Sequence, residues 1–192
     1  MTELEKLIAQ IKLLSPASLK EVQVFVEFLK WREERRDRAA PDWSYDFIET
    51  FAQAVKYPED PESGAEIRLG LATCGGEERT AIFAHPPVAG QTILEYYVPI
   101  VRNVYALGLN FAIGIRDGSR LEDPNLVAFS IRLNGYRVWG AQTNLKRWQN
   151  HYVKLVTPPG DIARIEFITE ALGDHRWTWA VWGNPILTGK RR

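Results

Sequence analysis

Residues 104–139 read VYALGLNFAIGIRDGSRLEDPNLVAFSIRLNGYRVW, and their hydrophobicity repeats every second position. Leu107, Leu109, Phe111, Ile113 and Ile115 share one face, while Gly108, Asn110, Ala112, Gly114 and Arg116 share the other. After a polar, turn-rich break, Val127, Phe129, Ile131 and Leu133 alternate with Ala128, Ser130 and Arg132. Successive side chains of a strand point to opposite faces, so this alternation predicts strands with one face buried. Asn134-Gly135 then offers two residues that tolerate positive φ, as a two-residue type I′ hairpin requires. Two long strands and a short return strand through Trp139 follow.

Strand-like runs continue on both sides of this stretch, each bounded by turn residues. Ile67, Leu69 and Leu71 alternate before Cys74-Gly75-Gly76; Thr80–His85 ends at Pro86-Pro87; Thr92–Val98 stops at Pro99. Downstream come Tyr152–Val156, Ile162–Thr169 and Arg176–Trp182, the last stopping at Gly183-Asn184-Pro185. The short connections leave no room for parallel crossovers. An antiparallel sandwich or barrel is therefore expected over residues 66–192.

The first 40 residues follow a different period. Leu4, Leu7, Ile8, Ile11 and Leu14 keep helical spacing, Ser15-Pro16 suits an N-cap and first helical position, and Leu19, Val22, Phe25, Val26 and Leu29 resume it. A helical hairpin is expected, making the whole chain mostly β with an N-terminal α-hairpin. Its stripe (Leu4, Ile8, Ile11, Val22, Phe25, Leu29) is a candidate contact for a protein partner or for a homo-oligomer through residues 1–38. The charged run REERRDR before Pro41 mixes signs and reads as a solvated helix end, not a nucleic-acid surface. Residues 41–65, with Trp43, Tyr45, Phe47, Ile48 and Phe51, read as an aromatic-rich connector packing as a lid over the neighbouring core.

Composition narrows the function. The 192 residues hold 24 basic and 24 acidic side chains, so no net field draws the chain to nucleic acid or to an acidic membrane. A single cysteine, Cys74, allows no internal disulfide and suits a reducing compartment. The charge-interrupted start lacks the pattern of a signal peptide, and no apolar run has the length of a membrane-spanning helix. The expectation is a soluble cytoplasmic protein.

Catalytic patterns are weak. His85, His151 and His175 lie far apart in sequence with no zinc spacing, and neither a GxSxG elbow nor a phosphate-binding glycine loop occurs. The acidic loop Asp117-Gly118-Ser119 with Glu122-Asp123 lacks the dense alternating carboxylates of a calcium loop and reads as turn chemistry. No metal, no cofactor and no enzymatic activity are expected.

The segments NFAIGIRDGSR, VAFSIRLNGYRVW and WAVWGNPIL resemble jelly-roll carbohydrate-binding modules. They are most similar to the type appended to glycoside hydrolases that bind galactose-like sugars. That resemblance covers about residues 66–189 and implies a jelly-roll-like β-sandwich and sugar recognition. The stretch LSPASLKEVQVFVEFLKWR resembles the helical module of small bacterial antitoxin-like proteins of unknown function.

Sugar binding needs an aromatic platform for the apolar ring face and planar polar groups for the hydroxyls. Trp139, Trp148, Tyr136, Tyr152 and Trp177 are candidates for the first; Asn144, Gln149, Asn150, Arg116 and Asp117 for the second. Trp177, Trp179 and Val181 share one face of the last expected strand and belong more naturally in the core. Trp148, set in Lys146-Arg147-Trp148-Gln149-Asn150, is open to exposure, and an exposed aromatic is the better ligand candidate. The ligand site expected is Trp148, Trp139, Tyr136, Asn150 and Arg116, for a glycan. The alternative is a scaffolding subunit of a cytoplasmic assembly that works through the helical hairpin.

Overall fold

A computed structural model describes residues 43–191 except 102, 157 and 159, together with isolated positions before residue 43. The chain divides into two compact units, Met1–Ala40 and Pro41–Arg192. The helical hairpin expected over residues 3–38, with its stripe from Leu4 to Leu29, lies outside the described residues.

The second unit is a sandwich of two antiparallel sheets. Its strands are β1 (Trp43–Asp46), β2 (Val55–Tyr57), β3 (Glu66–Cys74), β4 (Glu77–His85), β5 (Gln91–Pro99) and β6 (Val104–Ile115). They continue with β7 (Leu126–Leu133), β8 (Tyr136–Thr143), β9 (Gln149–Lys154), β10 (Ile162–Leu172) and β11 (Ala180–Arg191). One sheet runs β3-β4-β11-β6-β9, with β1 also on β11; the other runs β2-β5-β10-β7-β8. Among the described residues no helix is long and apolar enough to cross a membrane.

The period-two pattern translates directly into packing. Leu107, Leu109, Phe111, Ile113 and Ile115 of β6, and Val127, Phe129, Ile131 and Leu133 of β7, are all buried in one core between the sheets. Trp182 sits at its centre, with Phe129 and Phe167 at centroid distances of 5.2 and 5.1 Å. Asn134 and Gly135 both take positive φ, 51° and 87°, and close the β7–β8 hairpin as expected.

Three expectations are corrected. Within the connector expected over residues 41–65, the described residues join the sandwich: β1 pairs with β11, β2 pairs with β5, and Trp43 and Phe47 are core residues. The spacing of Trp43, Phe47 and Phe51 resembles a helical stripe, but the burial comes from a short strand and the turn after it. The last strand runs from Ala180 to Arg191, not from Arg176 to Trp182. Gly183-Asn184-Pro185 is a bulge within it, marked by a register shift and an Asn184 φ of 42°. A bulge accommodates a proline that the middle of a ladder would reject. Trp177 and Trp179 consequently fall in the loop before β11 and not in the core.

The third correction concerns β3 and β4. Their ladder leaves the main sheet early, since β4 meets β11 only over Ala81–Phe83, opposite Gly183–Val181. Farther along β11, its partner is β1. The tip of the β3–β4 hairpin folds over the outer face of its own sheet, so the alternate face from the expected one is buried. Ala72 and Cys74 are covered, whereas Leu69 and Leu71 are exposed.

Candidate functional site

The folded-over hairpin divides the outer face of the β3-β4-β11-β6-β9 sheet and creates a small second core. Ala72, Cys74, Ala81 and Phe83 from the hairpin meet Ala112 and Val181 from the sheet and Trp148 from the loop before β9. Glycine makes this close approach possible. A Cβ at Gly183 would sit 2.9 Å from the Trp148 ring, and one at Gly114 would sit 2.8 Å from Cys74 Sγ. The indole therefore occupies a slot that side chains at these two positions would fill. Its Nε1 donates to the Glu77 carbonyl at 2.9 Å. The tip is anchored by Asp117, whose carboxylate accepts from the Gly75 and Gly76 amides at 2.8 Å each. Burial, first, and the nearby Asp117 charge push the Cys74 thiol up to about 12.

Beside the hairpin lies a cleft of about 260 Å³. Ala112 and Gly183 contribute to its lining, as do Asn110 on β6, Asn150 on β9, Asn184 at the bulge and Arg79 on β4. Asn110 and Asn150 come from the polar phase of alternating strands; Asn184 is part of the lining because the bulge shifts the register of β11. Arg79 reaches across the sheet: Nη1 donates to Asn150 Oδ1 at 2.7 Å and Nε donates to Glu77 Oε1 at 2.7 Å. The same guanidinium stands 5.2 Å from the Trp148 ring centroid. Its hydrogen bond holds the Glu77 carboxyl below the ordinary carboxylate range.

Tyr152 flanks the cleft. It is paired with Asn110 in the ladder and lies against the sheet over Gly108, where a Cβ would come within 2.5 Å of its ring. The residue is 61% exposed. A glycine beneath an exposed ring leaves an aromatic surface beside Asn110, one of the residues that line the cleft.

The expected ligand residues separate in space. Asn150 lines the cleft. Trp148 is only 9% exposed, so its ring is support beneath Arg79 and not a free platform. Trp139 packs inward on Phe111 and His151, at centroid distances of 4.7 and 4.8 Å. Tyr136, 80% exposed, stands at the tip of the β7–β8 hairpin in the other sheet. Arg116 belongs to a stack of alternating cations and rings. Arg68 and Arg116 lie 3.6 and 4.4 Å from the Phe83 centroid, Arg116 is 5.2 Å from Trp179, and Arg120 is 5.0 Å from Trp177. Arg79, Asn110 and Asn184 were not anticipated. The only sequence signal for them was their polar placement against a small-residue strand face and the Gly-Asn-Pro interruption.

Among the described residues no group of three or more His, Cys, Asp or Glu is placed to hold a metal ion. The acidic loop is engaged in local structure: beyond Asp117, Asp123 Oδ1 accepts from Asn144 Nδ2 at 2.8 Å.

No protein-family model matches the chain, and no curated protein matches it. Solved structures do. The tandem family 51 carbohydrate-binding modules of the family 98 glycoside hydrolase from Streptococcus pneumoniae align with a TM-score of 0.56 at 13% identity, over 76% of this chain and 46% of that one. The second family 51 module with INT domains of Clostridium perfringens ZmpB, in complex with GlcNAc, aligns at 0.54 and 10% identity, over 79% and 32%. The family 51 module of a Clostridium perfringens family 95 glycoside hydrolase, in complex with methyl-galactose, aligns at 0.51 and 13% identity, over 76% and 100%. The fold is one that carbohydrate-binding modules share. The chain spans less than half the length of the first two of these structures and all of the third.

Proposed function

We propose that this protein is a non-catalytic binding protein and that it holds a glycan in the cleft beside Tyr152. The observation that carries the reading is the exposed Tyr152 ring seated over Gly108 and paired in the ladder with Asn110, which lines the cleft together with Arg79, Asn150 and Asn184. A pyranose has an apolar face of C–H groups and an equatorial rim of hydroxyls. An aromatic ring matches the first, and planar amides and guanidinium, with donors and acceptors at fixed angles, match the second. Concave sites with a few placed polar groups bind small ligands in this manner. The fold supports the reading by analogy alone, through modules whose structures contain GlcNAc and methyl-galactose.

Nothing in the cleft resembles a nucleophile with its base, which favours binding over turnover. Calorimetric titration with mono- and oligosaccharides is expected to give saturable binding. Tyr152→Ala should weaken it by at least about tenfold, equivalent to roughly 1.4 kcal/mol. Trp148→Phe, which retains a buried ring, should weaken it less than Tyr152→Ala. Binding that survives Tyr152→Ala unchanged rejects this site.

A further inference from the structure

We infer that the free edge of β3 pairs antiparallel with the same edge of a second copy of this chain, about a two-fold axis at Leu69. Strands β3 and β9 end one sheet; β2 and β8 end the other. Of these edges β2 has three residues, β9 has six, and the eight of β8 are interrupted by a register shift against β7. β3 has nine, and it runs opposite β4 from Glu66 to Cys74 without a break. It contains no lysine, no proline and no bulge, the devices that keep sheet edges from pairing.

Two hydrogen bonds fix the direction of its backbone groups. In an antiparallel ladder both groups of one residue point to the same neighbour, and those of the next residue point the other way. The Thr73 carbonyl accepts from the Asp117 amide at 2.8 Å, so Thr73 points away from β4. The Arg116 amide donates to the Trp179 carbonyl at 3.0 Å. The same alternation, carried from there through the Trp182–Ile82 and Ala81–Gly70 pairs, gives β3 the same phase. Ile67, Leu69 and Leu71 therefore turn their N–H and C=O groups away from β4. Among the described residues no backbone hydrogen bond reaches them on that side.

The edge is complementary to itself. The side chains of these three residues share one face of the strand. Leu69 and Leu71 are 38% and 62% exposed, and Ile67 is half-buried against the main core. The charges fall on the alternate phase and are engaged: Arg68 Nε donates to Glu66 Oε1 at 2.6 Å, and its guanidinium lies 3.6 Å from the Phe83 centroid. An axis at Leu69 sets Leu69 against its own copy and Ile67 against Leu71, so every opposed pair on that face is apolar. On the other face Arg68 meets Gly70 and Glu66 meets Ala72, with no like charges opposed. An axis at Arg68 would oppose two arginines. An axis at Gly70 would set Ile67 against Thr73, whose carbonyl the Asp117 amide already takes. This self-match commits the edge to a second copy and not to a foreign strand.

Sedimentation velocity on the full chain, from about 1 to about 300 μM, covers the range of weak association. A reversible monomer–dimer equilibrium is expected. Leu69→Lys opposes two ammonium groups across the axis and should raise the dimer dissociation constant at least about tenfold. Oxidised cysteine variants read the register. Leu69→Cys should give a disulfide-linked dimer, because opposed Cα atoms lie within disulfide reach; Leu71→Cys should not, its copies standing about 14 Å apart along the strands. Cys74 is buried and stays out of the reaction. In the parent, amide exchange at Ile67, Leu69 and Leu71 should slow as concentration rises, a readout that stands even where a variant does not fold. A monomer throughout the range overturns the inference. So does a dimer that Leu69→Lys leaves intact, or exchange at the three amides that ignores concentration. Cross-linking of Leu71→Cys as complete as that of Leu69→Cys rejects the axis at Leu69.

Discussion

At the residue scale, the small second core depends on two missing side chains. Gly183→Ala or Gly114→Ala places a methyl into contact with the Trp148 ring or Cys74 Sγ. Both neighbours are packed, so overpacking should cost roughly 1–3 kcal/mol, read as a lower denaturant midpoint with a red-shifted tryptophan emission. Wild-type stability in both variants would mean the slot is not tight. The two tyrosine and tryptophan candidates in the stretch from 148 to 152 show the limit of sequence reading here. Polar neighbours made Trp148 a candidate for exposure, but exposure was decided by glycines thirty and more positions away, which side-chain patterning along β9 cannot reveal. Tyr152 was recognisable as an aromatic on the polar phase of its strand; its seat over Gly108 was not.

Two histidines add a pH dependence at the same scale. Burial lowers the pKa of His151, stacked on Phe111 at a centroid distance of 5.5 Å. Burial likewise lowers that of His85, opposed by the hydrogen bond from Nδ1 to the Thr178 carbonyl. Both rings therefore favour the neutral form more in the fold than in the unfolded chain, which takes up protons near the ordinary value of 6.5. Below that pH the unfolded state binds more protons, so stability is complete above it and declines as pH falls toward the depressed folded values. The urea midpoint should drop between about pH 7.5 and about pH 5.5, and His151→Phe should lessen the drop. An unchanged midpoint over that interval contradicts the assignment.

At the scale of elements, the β3–β4 hairpin is held in place by a loop that contributes no strand. Asp117 accepts two amide hydrogens from its tip, and its own amide donates to the Thr73 carbonyl at 2.8 Å. Asp117→Ala leaves the Gly75 and Gly76 amides without that acceptor, at a cost of roughly 1–2 kcal/mol. It should also speed hydrogen exchange at those amides and increase alkylation of Cys74, whose burial disfavours the thiolate in the parent. A variant whose Cys74 stays protected would show that the second core holds the hairpin without this anchor. The nine strands from β3 onward were legible because each carries alternation between turn residues. β1 and β2 were not: each is four residues or fewer, too short for a period to register, and the aromatics around them mimic a helix stripe. The bulge in β11 hid the second half of that strand, since Gly-Asn-Pro is turn chemistry in most settings. The cleft inherits this blindness, because Asn184 comes from the bulge and Arg79 reaches it only through the fold of the hairpin.

At the scale of the whole molecule, the two sheets are joined by one aromatic network. Phe47 meets Tyr96 and Phe167 at 4.9 Å each, and Trp182 bridges Phe167, Phe129 and Phe111. Trp182→Ala removes the middle of that network and should cost about 3–5 kcal/mol, a loss near the full stability of many domains, visible as a collapsed thermal transition. The pairing of β1 with β11 has a separate consequence. Trp43 lies directly opposite Gly189 in that antiparallel ladder, so the first and last strands of the unit are neighbours, with Cα atoms about 5 Å apart. A peptide of a few residues can therefore splice residue 191 to residue 43. The unit can be reopened at Gly90, a turn glycine at positive φ with open space around its Cα. Such a circular permutant should fold with the same cleft, and for the same reason the sandwich can be carried as a lateral insert in a loop of another protein, entered and left through one doorway.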